Sequence, residues 1–140
     1  MRSRRGIKWI VWGVLIVCLG QALYIYVPGR PDPVKIVSVT NVGQGGAIYE
    51  VLYDSGGATV PIVYRYFLMS FQPRDEEALQ KTKKAAPFLV TKSSAAVREV
   101  LDDRVKLKVD GVIYEFHNIS MFKNNGEINI VKFDLDSTAP

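Results

Sequence analysis

The sequence predicts a mainly β protein with a minor α component: an N-terminal transmembrane helix followed by a small antiparallel β-sheet or sandwich domain with one surface helix. Three observations lead to this fold class. An uncharged apolar run spans residues 9–27, runs rich in β-branched residues alternate with turn residues after residue 33, and residues 75–84 carry a helical charge distribution. Of the 140 residues, 112 follow residue 28, which is enough for one domain.

The apolar run from Trp9 to Val27 has the length of a membrane-spanning helix. At about 1.5 Å per residue it reaches roughly 28 Å, close to the ~30 Å hydrocarbon core of a bilayer. Aromatic residues near both of its ends are typical of a spanning helix, and signal-peptide cores are usually shorter. The run therefore predicts an uncleaved anchor that contacts the lipid bilayer. The small residues Gly20 and Ala22, at the spacing of a cleavage site, leave cleavage after Ala22 open as the alternative.

Positive charge is concentrated before this run. Four of the 18 Lys and Arg residues precede it, which leaves 14 basic residues against 14 acidic residues in the rest of the chain. For a Gram-negative cell this asymmetry predicts a single-pass inner-membrane protein with a cytoplasmic N-terminus and a periplasmic C-terminal domain. The neutral domain has no general attraction to phosphate backbones, so nucleic acid is not an expected partner.

The predicted boundaries follow from these segments. They are a cytoplasmic basic tail at 1–8, the transmembrane helix at 9–27, a Pro-rich spacer at 28–33, the antiparallel β-domain at 34–135 and a disordered tail at 136–140. Three prolines in the spacer disfavour a helix and favour an extended chain.

Two strands and a glycine-rich turn open the predicted domain. Residues 34–42 are rich in β-branched side chains, Gly43–Gly46 is the turn, and Ala47–Tyr53 is typical of a second strand. A glycine-rich loop that binds phosphate needs a helix directly after it. Because a strand follows, the sequence predicts a tight turn.

A second turn lies at Asp54–Thr59, where glycines can supply the positive φ that turns require. The strand after it is predicted at Val60–Leu68. Pro61 cannot donate a ladder hydrogen bond, so it should lie at the strand start or on a sheet edge.

Around this turn the chain resembles a family of small bacterial single-pass membrane-anchored domains of unknown function. The resemblance rests on the Gly-rich turn, the strand Ile-Tyr-Glu-Val-Leu-Tyr and the Gly-Gly-Ala-Thr motif at 56–59, and it covers roughly residues 5–116. This chain departs from the pattern at Val60-Pro61, where the family would have a second small hydroxylated residue. The resemblance carries over no catalytic residues. Some similar proteins are thought to neutralise toxins encoded beside them, so it implies an immunity role.

One helix is predicted at Asp75–Lys84, where acidic residues come first and lysines last, as the helix dipole favours. Its few apolar residues, chiefly Ala78 and Leu79, indicate a narrow buried face on a surface helix.

A short strand is predicted at Phe88–Thr91, and residues 93–101 are ambiguous between helix and strand. The turn-forming pair Asp102-Asp103 favours the strand, and the resemblance implies a hairpin at this place.

The stretch from Arg104 to His117 predicts a β-hairpin around Asp110-Gly111, a preferred two-residue turn. In that register one face holds six apolar residues and must be the core: Val105, Leu107, Val109, Val112, Tyr114 and Phe116. The other face would pair Lys106 with Glu115, Lys108 with Ile113, and Arg104 with His117.

A last turn is predicted at Asn124–Glu127, between strands at Ile119–Phe122 and Ile128–Leu135. The second of these strands has apolar residues on both faces, which is typical of a strand that is partly covered on both sides. Together these segments predict seven or eight strands.

The residue inventory offers no catalytic, cofactor-binding or metal site. The only cysteine, Cys18, lies in the apolar run, and the only histidine, His117, has no second histidine or Gly-x-Ser-x-Gly serine to work with. The exposed candidates are the protruding side chains of the predicted hairpin: Lys106, Lys108, Glu115 and His117.

These observations predict a non-enzymatic binding protein, anchored in the inner membrane, whose periplasmic β-domain holds a protein partner, with an immunity protein against a protein toxin as the specific form. The alternative is a structural or assembly accessory of a cell-envelope complex, which would use Gln21, Gly13 and Gly20 for contacts between helices in the membrane.

Overall fold

The computed structural model describes residues 4–26, 31–54, 56 and 61–138. The chain divides into two compact units, Met1–Arg30 and Pro31–Pro140. The elements are α1 (Arg4–Tyr26), β1 (Pro33–Val42), β2 (Gly46–Tyr53), β3 (Val63–Ser70), α2 (Asp75–Thr82), β4 (Leu89–Thr91), β5 (Val97–Leu101), β6 (Arg104–Asp110), β7 (Ile113–Phe116), β8 (Ile119–Asn124) and β9 (Glu127–Thr138). The fold class is mainly β with an N-terminal apolar helix, as the sequence predicts.

The first unit contains α1, whose segment Gly6–Tyr24 is long and apolar enough to cross a membrane. The helix begins at Arg4, inside the segment predicted as a basic tail, and ends at Tyr26. Its apolar side chains are exposed within the described chain, as they are in a helix whose solvent is lipid.

The second unit contains two sheets. Sheet I has five antiparallel strands in the order β1-β2-β3-β4-β7. Sheet II has four strands in the order β5-β6-β9-β8, in which β6 and β9 are parallel and the other pairs are antiparallel. The chain therefore passes from sheet I to sheet II after β4, returns for β7, and passes to sheet II again for β8 and β9.

Sheet I is covered on both faces. One face packs on sheet II, where the rings of Phe88 and Phe133 stack with centroids 3.9 Å apart. The other face packs on α2, where Tyr49 and Phe67 lie in one cluster with Ala78. The domain therefore has three layers: α2, sheet I and sheet II. It combines the two architectures that the sequence allows, a sandwich and a sheet covered by a helix.

Most of the predicted elements are confirmed. The turns at Gly43–Gly46, Asp102-Asp103 and Asn124–Glu127 each join two antiparallel neighbours. Residues 97–101 form a strand, as favoured, and α2 buries Ala78 and half-buries Leu79. The described residues contain nine strands instead of seven or eight, with residues 97–101 forming the additional strand.

The loop between β2 and β3 is described only in part. The backbone N–H of Gly56 donates to Asp54 Oδ1 at 2.8 Å, with Gly56 at φ 70°, as expected of a turn. Residues 57–59 of the Gly-Gly-Ala-Thr motif lie outside the described residues. β3 begins at Val63 instead of Val60, so Pro61 precedes the strand.

The predicted hairpin around Asp110-Gly111 is wrong. β6 lies in sheet II between β5 and β9, whereas β7 pairs with β4 in sheet I. The predicted charge pairs between β6 and β7 therefore do not form. The core face of β6 is confirmed, since its three apolar side chains are buried, but Val112 and Tyr114 are 40% and 52% exposed.

Hydrogen bonds from Ser93 and from the end of β9 hold the chain where it passes from β6 to β7. Both edges of β6 are already paired, so β7 has no edge to join. Ser93 Oγ donates to the carbonyl of Asp110 at 2.5 Å, and the N–H of Gly111 donates to the carbonyl of Thr138 at 3.4 Å. Gly111 has φ 119°, a backbone conformation that glycine adopts readily.

The predicted disordered tail is partly wrong. Residues 136–138 form the end of β9, which pairs with β6 as far as Asp110 and Thr138. The hydroxyl of Thr138 also donates to the Asp110 carboxylate, so this end of the chain has packing partners. Residues 139–140 lie outside the described residues.

We expect Leu107→Ala to lower the free energy of unfolding by about 2–5 kcal/mol, because Leu107 is 1% exposed in the core between the sheets. The exposed Tyr114→Ala should change it by about 0.5 kcal/mol or less. Urea unfolding of the full chain in detergent measures both values. Similar losses for the two variants would support the hairpin register, in which the two side chains share the core.

Candidate functional site

The four candidates that the sequence offered lie in two separate places. Lys106 and Lys108 are on the outer face of sheet II, and Glu115 and His117 are at the β7 edge of sheet I. Lys106 Nζ lies 2.7 Å from Glu99 Oε2, and His117 Nε2 lies 2.8 Å from Glu115 Oε1. The structure thus forms two surface pairs and brings no common site together. In the part of the chain that it describes, no group of three His, Cys, Asp or Glu side chains could hold a metal ion.

Buried polar groups of sheet I meet the segment 93–96, which leads from sheet I to sheet II. The Glu50 side chain is 2% exposed, and its Oε1 accepts a hydrogen bond from the N–H of Ala95 at 3.0 Å. The Tyr66 hydroxyl donates to the carbonyl of Ser93 at 3.0 Å and accepts from the N–H of Ala96 at 3.2 Å. Each of these bonds joins a side chain of sheet I to residues 93–96, which we call the crossing segment.

This cluster has a structural role. Ser38 Oγ in β1 donates to the second carboxyl oxygen of Glu50 at 2.8 Å, so both oxygens have partners inside the domain. Ala95 has φ 54°, a left-handed conformation that is costly for alanine and is held by these bonds. Burial, with a smaller contribution from nearby Glu50, raises the pKa of Tyr66 far above its usual value. The arrangement secures the crossing and leaves no polar atom of the cluster for a ligand.

A different surface is exposed and apolar. The outer face of the β8–β9 hairpin presents four large side chains, each between 49% and 65% exposed, which we call the β8–β9 patch: Ile119, Met121, Ile128 and Ile130. Met121 lies directly opposite Ile130 across the two strands, and the other two members are their diagonal neighbours. Contiguous exposed apolar patches of this kind are typical of interaction sites.

Two lysines border the β8–β9 patch. Lys123 lies opposite Ile128, and Lys132 lies opposite Ile119. Neither forms an ion pair with any residue that the structure describes. Two other basic residues of sheet II have acidic partners: Arg104 Nε lies 3.5 Å from Asp134 Oδ2, and Lys106 Nζ lies 2.7 Å from Glu99 Oε2. The patch therefore combines apolar side chains with positive charge that the domain itself does not neutralise.

The β8–β9 turn, at one end of the patch, lies at the end of the domain opposite the start of β1. Asn124 Nδ2 donates to the carbonyl of Gln44 at 2.9 Å, so the β8–β9 turn meets the β1–β2 turn. Phe122 packs so closely on Gly46 that any side chain there would strike its ring. β1 has ten residues, and at about 3.3 Å per residue its start lies roughly 30 Å from that turn.

The sequence contained a signal for this surface, but the signal was ambiguous. Val131 and Phe133 of β9 are buried in the sandwich, while Ile128 and Ile130 on the opposite face are exposed. Apolar residues on both faces of a strand indicate either that the domain covers both faces or that one face is a binding surface for another molecule. The sequence alone predicted that both faces of β9 are partly covered. The exposures of Ile128 and Ile130 instead show that one face is uncovered within the described domain.

Comparison with known proteins finds no matching family model, no matching curated protein and no matching solved structure. The family resemblance therefore stays a prediction.

We expect the stability of the domain to fall as the pH rises above about 10, the pKa of an unfolded tyrosine. The folded-state pKa of Tyr66 is raised, so its contribution is complete below the unfolded pKa and is lost as the pH rises toward the folded value. Tyr66→Phe should make this loss shallower, with a residual slope from Tyr49 and Tyr53, whose pKa values burial also raises.

At pH 7 the same substitution should cost about 1–3 kcal/mol, because the N–H of Ala96 loses its acceptor. Urea unfolding at pH 7 and at alkaline pH measures both effects, with the exposed Tyr114→Phe as the matched control. An unchanged alkaline slope in Tyr66→Phe would contradict the assignment.

Proposed function

We propose that this chain is a non-enzymatic binding protein of the bacterial inner membrane whose periplasmic β-domain holds a protein partner, acting as an immunity protein against a toxin. The β8–β9 patch carries the proposal: four large apolar side chains are exposed together on one regular face. Burying a fully exposed side chain of this size is worth about 1.5–3 kcal/mol, and because these four are only about half exposed, covering each contributes roughly 1 kcal/mol. A partner that covers the patch would gain several times that amount before the costs of association.

The anchor supports the location. α1 is long and apolar enough to cross a bilayer, and the excess of basic residues before it favours a cytoplasmic N-terminus. Only residues 27–32 separate α1 from β1, and six residues extend at most about 20 Å. The sequence between the two elements is therefore short.

The chemistry of the patch and of its border favours a protein as the partner. A nucleic acid would require a broad basic surface, whereas residues 9–140 contain 14 basic and 14 acidic residues. The patch offers apolar area with two cations at its border, which suits a protein surface that carries acidic groups.

The toxin as partner rests on the resemblance around the Gly-Gly-Ala-Thr motif, since some similar proteins are thought to neutralise neighbouring toxins. Inhibition by occlusion requires a binding surface and no catalytic group, and the described residues provide such a surface. The identity of the toxin follows from the gene neighbourhood of this chain.

We expect the full chain to protect cells against the periplasm-directed product of a neighbouring toxin-like gene. Ile130→Asp should abolish this protection, because burying a carboxylate in the apolar contact weakens binding by roughly 30-fold, or about 2 kcal/mol. Survival of cells that express toxin and variant together is the measurement. Lys108→Glu is the matched control, since it changes an exposed side chain of the same sheet on β6, away from the patch.

Failure of the unaltered chain to protect against any neighbouring gene product would rule out the immunity role. Full protection by Ile130→Asp, at equal protein levels, would show that the partner binds elsewhere on the domain.

A second candidate function is that of an assembly accessory in a cell-envelope complex, acting through α1. A shallow groove on this helix is lined by Val17, Gly20, Gln21 and Tyr24, and neither Gly13 nor Gly20 has a neighbour where a side chain would be. Small and amide residues of this kind support contacts between helices in membranes.

Replacing α1 by an unrelated transmembrane helix separates the two functions. An inhibitor that uses the β8–β9 patch should protect as well as before, because its anchor only places the domain. An accessory that uses the helix should lose its activity and no longer copurify with its complex. Loss of protection after the exchange, with the protein still at the membrane, would favour the second function.

A further inference from the structure

The two sheets have four edges, and three of them are irregular. β1 pairs with β2 through two register shifts, and β5 and β7 each pair with their neighbour through one. β8 is the fourth edge strand, and its pairing with β9 has no shift over its whole length. Bulges and short strands protect sheet edges from pairing with other chains. The regular edge is thus the one beside the β8–β9 patch.

The direction of the β8 backbone groups follows from the hydrogen bonds of β9. The N–H of Phe133 donates to the carbonyl of Asn118 at 2.8 Å, and the N–H of Lys132 donates to the carbonyl of Asp103 at 2.8 Å. Odd-numbered residues of β9 therefore bond to β8, and even-numbered ones face β6. Because antiparallel pairs alternate, the even-numbered residues of β8 bond to β9 and its odd-numbered residues face away.

Three residues consequently point their N–H and C=O groups out of the sheet edge: Ile119, Met121 and Lys123. Among the residues that the structure describes, no strand hydrogen-bonds to this edge of β8, and β3 of sheet I approaches the strand without pairing with it. The side chains of the same three residues stand on the outer face, since the alternate residue Phe122 is buried in the sandwich. One strand thus offers main-chain partners, apolar contacts and a cation together.

We propose that β8 accepts an extended segment of the protein partner as a fifth strand of sheet II. The outward side chains of that segment are apolar where they meet Ile119 and Met121, and acidic where they meet Lys123. Main-chain hydrogen bonds supply affinity in this mode, and alternate side chains supply specificity. The proposal rests on the proposed function in that the partner is a protein, and it adds the docking edge and the chemistry of the bound segment.

The probe is a short extended peptide with Thr on its inner face and Glu, Val and Val in that order on its outer face, so that in antiparallel pairing Glu meets Lys123. A matched peptide carries Lys in place of Glu. The full chain, reconstituted in zwitterionic nanodiscs, is studied by amide hydrogen exchange. Without peptide, we expect fast exchange at Ile119, Met121 and Lys123, and slow exchange at Ser120 and Phe122.

The Glu peptide should slow exchange at the three outward amides about tenfold when its concentration is ten times its Kd. Lys123→Glu should reverse the preference, so that the Lys peptide binds more tightly than the Glu peptide. Lys108→Glu is the control, because its side chain lies on the same outer face but on β6, and it should leave both affinities unchanged.

Several results would overturn the proposal. These are protection of no outward amide by either peptide, and equal binding of both peptides to Lys123→Glu and to the unaltered chain. Protection without peptide that rises with protein concentration would assign the edge to a second copy of this chain. Protection without peptide that appears only in nanodiscs of anionic phospholipid would assign it to the bilayer.

Failure here is distinguishable from failure of the proposed function. If the peptides do not bind but Ile130→Asp still abolishes protection in cells, the patch is the binding surface and the β8 edge is not. If peptide binding follows the expected pattern but no neighbouring toxin is neutralised, the edge accepts a strand and the immunity role is wrong.

Discussion

The architecture of the domain depends on the burial of β2 on both of its faces. Tyr49 and Val51 face α2, whereas Ile48 and Glu50 face sheet II, so this strand belongs to two cores at once. A carboxyl group in that position is costly unless its oxygens are bonded. Its partners are a hydroxyl of β1 and a backbone N–H of the crossing segment. The cost of burying Glu50 therefore fixes where the chain leaves sheet I, and with it the position of β5.

Local patterns were enough to predict most elements, but they could not predict which strands pair. The alternation of Val105, Leu107 and Val109 correctly predicts a buried face, because that face is a property of β6 alone. Asn125-Gly126 joins two neighbours as expected, with both residues at positive φ. Asp110-Gly111 carries an equally strong turn signal and joins two sheets instead. The difference arises because β5 and β9 occupy both edges of β6, and β9 follows later in the chain.

The candidate site was harder to predict than the fold for the same reason. The hairpin register placed Lys106 opposite Glu115, and once the strands separate these residues share no surface. The β8–β9 patch requires knowledge of three-dimensional neighbours, since Ile128 and Ile130 are no more apolar than the buried residues that alternate with them. Their exposures of 65% and 53% show that no described part of the domain covers this face.

The packing of the domain does not account for apolar side chains at Met121 and Ile130. Both face away from the two cores, so polar residues there would leave the core contacts unchanged and would lower the tendency of the edge to associate. The three other sheet edges, at β1, β5 and β7, contain register shifts. The fold can therefore accommodate irregularities that keep an edge from pairing with another chain. An apolar, regular edge gains free energy only when another surface covers it. This agrees with the proposal that β8 becomes an interior strand when a segment of the partner binds to its edge.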